Sequence, residues 1–363
     1  MNKLGTYVIA EAGVNHNGSL SMARDLVDAA AAAGADAVKF QTFNSSKLVA
    51  VHAKKADYQK TTTGSGSQLD MLKSLELSPD AFQQLALYCK ERGIEFLSSA
   101  FDEESLALIV SLGVSRLKLG SGELTNGLML RACAQTRLPL ILSTGMATID
   151  EIESAVGLVA ETYLKPEEQP ASASWGAAAT SELGRAALRQ RVTLLHCTTE
   201  YPCPFDQVDL RAMNVLTTKF GLPVGYSDHT PGISVSLAAV ALGAQVIEKH
   251  LTLNRSLPGP DHSASIEPAE FALLVKSVRE VEMARGREEK LVHAVEERNK
   301  QVARRSLVAL RDIAPGEIFT PDNVASRRPG TGISPMLFWS LLGRKARQKY
   351  NPDDLISSAE FDG

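Results

Sequence analysis

The chain has 363 residues, room for one α/β domain of about 250 residues with roughly a hundred left for a smaller one. Hydrophobic residues at 44% and charged residues at 22% exclude a largely disordered chain, and a net charge of −4 gives no global attraction to nucleic acid or to an anionic membrane. Any anionic ligand must therefore be held by local groups. The four cysteines, Cys89, Cys133, Cys197 and Cys203, form no C-x-x-C pair, which fits a reduced cytoplasmic setting. Met1 to Thr6 lacks the zones of a signal peptide, and no apolar run is long enough to span a bilayer.

From Thr6 to Ala284 one alternation repeats: a short apolar strand, a polar or Gly-rich loop, then an Ala/Leu-rich amphipathic helix. The strand candidates are Tyr7–Glu11, Ala37–Gln41, Glu95–Ser99, Arg116–Gly120, Pro139–Thr144, Val192–Cys197, Pro223–Ser227 and Gln245–His250. Eight such strands with intervening helices predict a (β/α)8 TIM barrel over residues 1–285. An open doubly wound sheet is the runner-up, but no strand-linked G-x-G-x-x-G supports it.

Two connections break the spacing. Thr42 to Leu77 is a long loop after a strand and sits where a lid would sit. Lys165 to Arg191, rich in Pro, Ala and Ser around Trp175, follows a helix and reads as decoration on the amino-terminal face, with a partner contact as one use for it. After the helix Phe271–Arg285, the charged stretch 286–302 reads as a linker. Residues 303–363, with Ala-Pro-Gly and Arg-Pro-Gly turns between short strand segments, read as a small second domain.

In a barrel of this kind the carboxyl ends of the strands form the chemical face. There the sequence places Glu11, then Lys39 and Gln41, then Ser98 and Ser99, then Lys118, Ser121 and Glu123. Ser143 and Thr144, Thr199 and Tyr201, Ser227 with His229, and Glu248 with His250 follow. Two histidines ending successive strands, with Asp228 and Glu248 beside them, suit a divalent metal; the competing reading is that each imidazole satisfies a backbone group. Buried lysines require an anion nearby. Lys39 and Lys118 with Ser99, Ser121, Ser143 and Ser227 fit a phosphate or carboxylate cradle, unless each lysine pairs with a barrel carboxylate such as Glu11 or Glu123.

These residues closely resemble the sialic acid synthases, a family that includes N-acetylneuraminate, legionaminate and pseudaminate synthases. The likeness runs through I-A-E-A-G-V-N-H-N-G, A-D-A-V-K-F-Q, R-L-K-L-G-S-G-E, L-S-T-G-M-A, H-C-T-T-E-Y-P, Y-S-D-H-T, V-I-E-K-H and P-G-P-D-H. It continues into R-R-S-L, A-P-G-E and R-P-G-T-G-I-S-P of the tail, which look like that family's antifreeze-like (SAF) domain. The resemblance implies metal-dependent condensation of phosphoenolpyruvate with an open-chain N-acylated hexose. The sugar would be N-acetylmannosamine or a 2,4-diacetamido-trideoxy hexose, and the products a nine-carbon 2-keto acid and phosphate.

It also implies roles. His229 and His250 would hold Mn2+ (or Mg2+ or Co2+), with Asp228 and Lys249 supporting them. Lys39, Ser99, Lys118, Ser121, Ser143, Thr199 and Ser227 would hold phosphoenolpyruvate, Thr199 standing where some members have Asn. Glu11 would manage a proton or water, and Gln41, Tyr201, Glu248 and Asp261 would contact the sugar, with Glu123 among the substrate-binding residues. A domain-swapped homodimer would bring Arg328 of the tail over the partner's site. A legionaminate or pseudaminate synthase is the alternative within the family, and a Schiff-base aldolase using Lys39 or Lys118 the alternative outside it.

Overall fold

The computed structural model describes residues 5–50, 53–55, 60, 63, 64 and 66–362; residues 51, 52, 56–59, 61, 62 and 65 of the lid-like stretch lie outside these. The chain divides into two compact units between Gly286 and Arg287.

In the first unit eight parallel strands close a barrel in sequence order. They are β1 (Tyr7–Gly13), β2 (Ala37–Thr42), β3 (Glu95–Ala100), β4 (Leu117–Leu119), β5 (Leu140–Ser143), β6 (Val192–His196), β7 (Val224–Asp228) and β8 (Val246–His250). β1 pairs with both β2 and β8. This is the barrel that the alternation predicts. Apolar runs buried on both faces become strands because one face meets the barrel interior and the other the helices. The helices begin at polar caps such as Ser19, Ser78, Asp102 and Thr148, whose side chains accept first-turn N–H groups, each cap contributing about 1 kcal/mol.

Side chains alternate along a strand, so residues two apart share a face. At the amino-terminal end Tyr7 donates a hydrogen bond to Glu95, while Arg116 pairs with Glu95 and covers the Tyr7 ring. One step further in lie Ile9, Ala37, Leu97, Ile141, Leu195 and Val246, a single buried apolar cluster. Gly225 belongs to this layer because a Cβ there would sit 2.4 Å from Val246 O and 2.7 Å from Leu195 Cδ2. One step further again, the same strands present Glu11, Lys39, Ser99, Ser143, Cys197, Ser227 and Glu248. An apolar layer thus seals the polar end from below.

Residues 165–191 carry two helices, Trp175–Thr180 and Glu182–Arg191. The first lies against Gly157, where a Cβ would meet Trp175 Cβ at 2.7 Å. The second unit has its own core of Leu307, Ile313, Phe319, Leu341, Tyr350 and Ile356 around antiparallel strands β9 (Ser306–Ala309) and β10 (Val324–Arg327). Within the stretch read as a linker, residues Ala294–Ala303 form a helix. No helix among the described residues is long and apolar enough to cross a membrane.

Candidate active site

The carboxyl ends of the barrel strands open onto a cavity of about 230 Å³ lined by Glu11, Lys39, Gln41, Ser99, Lys118, Ser121, Ser143, Thr199, Tyr201, Ser227, His229, Glu248, His250 and Asp261. Of the site residues expected from sequence, Glu123 and Arg328 are not among its lining. Glu123 is turned away and accepts from Asn126 Nδ2 at 2.7 Å. Arg328 lies on the second unit, where its Nε donates to Ala303 O at 3.1 Å.

The two buried lysines meet two carboxylates. Lys39 Nζ is 2.7 Å from Glu11 and 3.3 Å from Glu248, and Lys118 Nζ is 3.4 Å from Glu248. The pairing with barrel carboxylates is therefore present, but the partner of Lys118 is Glu248 rather than Glu123. Glu248 also accepts from Ser227 Oγ at 2.8 Å, and Glu11 from Gln41 Nε2 at 3.2 Å. Lys39 donates to Ser99 Oγ at 3.2 Å. Ser143 Oγ and Thr199 Oγ1, both buried, have no hydrogen-bond partner among the described residues. Buried hydroxyls are rarely left so, which makes them ready donors for a ligand in this cavity.

Charge is distributed unevenly. Burial opposes the Glu248 carboxylate, but Lys118 and Lys39 outweigh it and hold its pKa well below the usual range. Burial pushes Glu11 above its ordinary value, with Lys39 opposing and Glu248 adding to the shift. Asp261 is pushed up to about 7 by burial and by the Glu11 charge. Burial disfavours the Lys39 ammonium, yet Glu11 and Glu248 more than restore it. Lys118 stays below the usual lysine value, because burial outweighs Glu248.

His229 and His250 stand together with ring centroids 5.6 Å apart, and Tyr201 packs on both. His229 Nδ1 hydrogen-bonds Thr198 O at 2.7 Å, which fixes the proton there and leaves Nε2 a lone pair. His250 Nδ1 is buried without a hydrogen-bond partner among the described residues. Burial lowers His229 to about 4 and His250 well below the usual value, so both rings are neutral at neutral pH. Neutral imidazoles in a polar cavity, one with an unpartnered Nδ1 and the other with its Nε2 in only a long 3.5 Å contact to Ser227 Oγ, fit a divalent metal. Among the described residues no cluster of three or more His, Cys, Asp or Glu side chains is arranged to hold a metal.

Asp228 and Lys249 do not support the imidazoles as expected. They form a buried ion pair at 3.1 Å; Asp228 accepts from Thr230 N, Thr230 Oγ1 and Ser236 Oγ, and Lys249 donates to Thr230 O. They fix the turn that follows His229 rather than its ring. Strand periodicity explains this, since Asp228 and Lys249 alternate with the inward-facing Ser227, Glu248 and His250.

Reasoning from sequence missed Cys197, which lines the cavity, and Gly145 behind it. Cys197 is one step beyond the inward-facing Leu195, a signal that strand alternation carries. It also missed the apolar wall of Met71, Leu72 and Leu75, which the lid-like stretch contributes.

The NeuB family model matches residues 26–290, and the SAF domain model residues 304–362. The chain is 46% identical over 352 residues to an N,N'-diacetyllegionaminic acid synthase of Campylobacter jejuni, covering 97% of this chain and 98% of that one. It is 44% identical to the protein of the same name from Legionella pneumophila, covering 93% and 90%. Among solved structures, an N-acetylneuraminic acid synthetase of Leptospira borgpetersenii in complex with citrate matches with a TM-score of 0.67 at 32% identity, over 81% of this chain and 90% of that one. Barrel and tail agree with these matches: the chain belongs to the NeuB family and is an enzyme of the sialic acid synthase type.

Proposed function

We propose that this enzyme condenses phosphoenolpyruvate with the open-chain form of a 2,4-diacetamido-trideoxy hexose, giving N,N'-diacetyllegionaminic acid and phosphate by C–O cleavage. The observation that carries the reaction type is the meeting of Lys39 and Lys118 with two neutral histidines in one cavity sealed by apolar side chains. The choice of sugar is supported by the two relatives above, which share nearly half of the sequence across almost their whole length.

Lys39, Lys118 and the hydroxyls of Ser99, Ser121, Ser143, Thr199 and Ser227 bind the phosphate and carboxylate of phosphoenolpyruvate. Gln41, Tyr201, Glu248 and Asp261 orient the sugar. The enol carbon attacks the aldehyde carbon, forming the C–C bond, and the aldehyde oxygen takes up a proton. Water adds to the adjacent cationic carbon, and the resulting tetrahedral species breaks its C–O bond to expel phosphate. Glu11, which burial makes a stronger base than an ordinary carboxylate, takes the proton from that water. His229 and His250 would hold Mn2+, or Mg2+ or Co2+ in its place, and the ion would supply Lewis-acid polarisation of the sugar's carbonyl. Holding both reactants supplies orientation, and the lysines supply charge stabilisation.

The homodimer and the cytoplasmic setting belong to the same reading. The second unit leaves the apolar side chains Val295, Met336 and Trp339 each exposed, which supports burial against a second copy, and Arg328 would reach the partner's substrate in such a dimer. The four described cysteines are free thiols.

The test is phosphate release from phosphoenolpyruvate with Mn2+ and either the diacetamido hexose or N-acetylmannosamine. Faster release with the diacetamido sugar supports the reading. Faster release with N-acetylmannosamine replaces the sugar assignment, and covalent trapping of a pyruvyl substrate by borohydride would replace the reaction with an aldolase.

A further inference from the structure

Ser121 is one of the hydroxyls facing the proposed anion, and two neighbours determine what its proton can do. Gly145 N–H donates to Ser121 Oγ at 3.0 Å, and Cys197 Sγ lies 3.1 Å from the same oxygen. The three groups are packed without slack. A Cβ on Gly145 would lie 2.3 Å from Thr199 Oγ1, 2.8 Å from Ser121 Oγ and 2.9 Å from Cys197 Sγ. Cys197 is 5% exposed and lines the cavity with Lys118 and Thr199.

A serine hydroxyl has one proton to give and two lone pairs to fill. Gly145 fills one lone pair. Burial pushes the Cys197 thiol up, so at neutral pH it keeps its proton and has an S–H to offer. When that S–H fills the second lone pair, the Ser121 proton must look elsewhere. The opposite arrangement, with Ser121 donating to sulfur, would spend its only proton on a weak acceptor. Nearby, the buried Thr199 Oγ1 and Ser143 Oγ lack partners among the described residues, an independent sign that this wall is arranged for a ligand.

We propose that Cys197 is a positioning residue: it donates to Ser121 Oγ and thereby commits the Ser121 hydroxyl proton to the phosphoenolpyruvate anion held between Lys39 and Lys118. The inference deepens the function proposed above and rests on it. No bond to sulfur forms, and the thiol stays a thiol throughout.

The experiment is a double-mutant cycle on the full chain, reading phosphoenolpyruvate binding by calorimetry without sugar and then KM and kcat with it. Cys197→Ala is expected to weaken phosphoenolpyruvate binding about fivefold and to raise its KM equally, with kcat changed less than about twofold. Cys197→Ser, which keeps a donor, is expected to recover most of that loss. In a Ser121→Ala background, Cys197→Ala is expected to have no further effect. Equal losses in both backgrounds, no loss in the parent, or a Cys197→Ser variant as weak as Cys197→Ala would each overturn the proposal. Should Cys197→Ala unfold, Cys197→Val fills the thiol's volume without a donor and takes its place in the cycle. If the unaltered chain binds no phosphoenolpyruvate, the functional reading itself fails; normal binding with an additive cycle removes only the role of Cys197.

Discussion

Glu11 and Lys39 face each other as register partners across the β1–β2 ladder, and their side chains meet at 2.7 Å. Both are almost fully buried, at 2% and 3% exposure. An anion that binds at Lys39 must therefore compete with the Glu11 carboxylate. Glu11→Gln is expected to tighten phosphoenolpyruvate binding several-fold while lowering kcat by about a hundredfold or more, since it frees the lysine but removes the proton acceptor. Calorimetry and phosphate release check the two halves separately. Unchanged turnover would take proton transfer away from Glu11.

Asp261 makes a prediction about pH. Its carboxyl is raised from 3.8 to about 7 by burial and by Glu11, so the folded chain holds that proton more tightly than the unfolded one. The stability this contributes is complete below about pH 4 and is lost as pH rises through about 7, on the order of 4 kcal/mol in all. Asp261→Asn removes the titration. Urea unfolding of both proteins at about pH 5 and pH 7.5 should show the wild type losing a few kcal/mol relative to the variant. A difference independent of pH would contradict the assignment.

Gly145 tests the anion wall by closing it. In Gly145→Ala the new methyl would sit 2.3 Å from Thr199 Oγ1, so the hydroxyls must move. We expect a loss of about 1–3 kcal/mol in stability. The KM for phosphoenolpyruvate should rise about tenfold or more, as expected when two or more hydroxyl contacts are displaced. The KM for the sugar should change far less, and steady-state kinetics with each substrate varied in turn distinguishes the two.

The metal assignment predicts that EDTA abolishes turnover and Mn2+ restores it. His229→Ala and His250→Ala should each lose the ion, as measured by metal content, and reduce kcat to background. Phosphoenolpyruvate binding should persist in both, because neither ring belongs to the anion wall. Full activity in either variant would reduce the pair to structural histidines.

The barrel was legible because each strand is buried on both faces and so reads as an apolar run bounded by turn residues. Arg116 and Gly120, included in the fourth predicted strand, fall outside β4, since Arg116 is committed to Glu95 and the Tyr7 ring at the barrel's base. The polar residues of the site were legible as strand ends, but their partners were not. Glu248 meets Lys118 only because the closed sheet brings β8 and β4 to the same interior, a relation that no local spacing encodes. Glu123, close to Lys118 in sequence, lies on a short turn of helix that points it at Asn126 instead. Asp228 and Lys249 neighbour the histidines in sequence, whereas alternation along the strand puts them on the opposite face.

Condensation by C–O cleavage is decided by mass spectrometry of the products formed from the 2,4-diacetamido-trideoxy hexose and phosphoenolpyruvate carrying 18O in its bridging C–O–P position. The expected products are N,N'-diacetyllegionaminic acid and phosphate that carries the label. No nine-carbon product, or phosphate without the label, would contradict it.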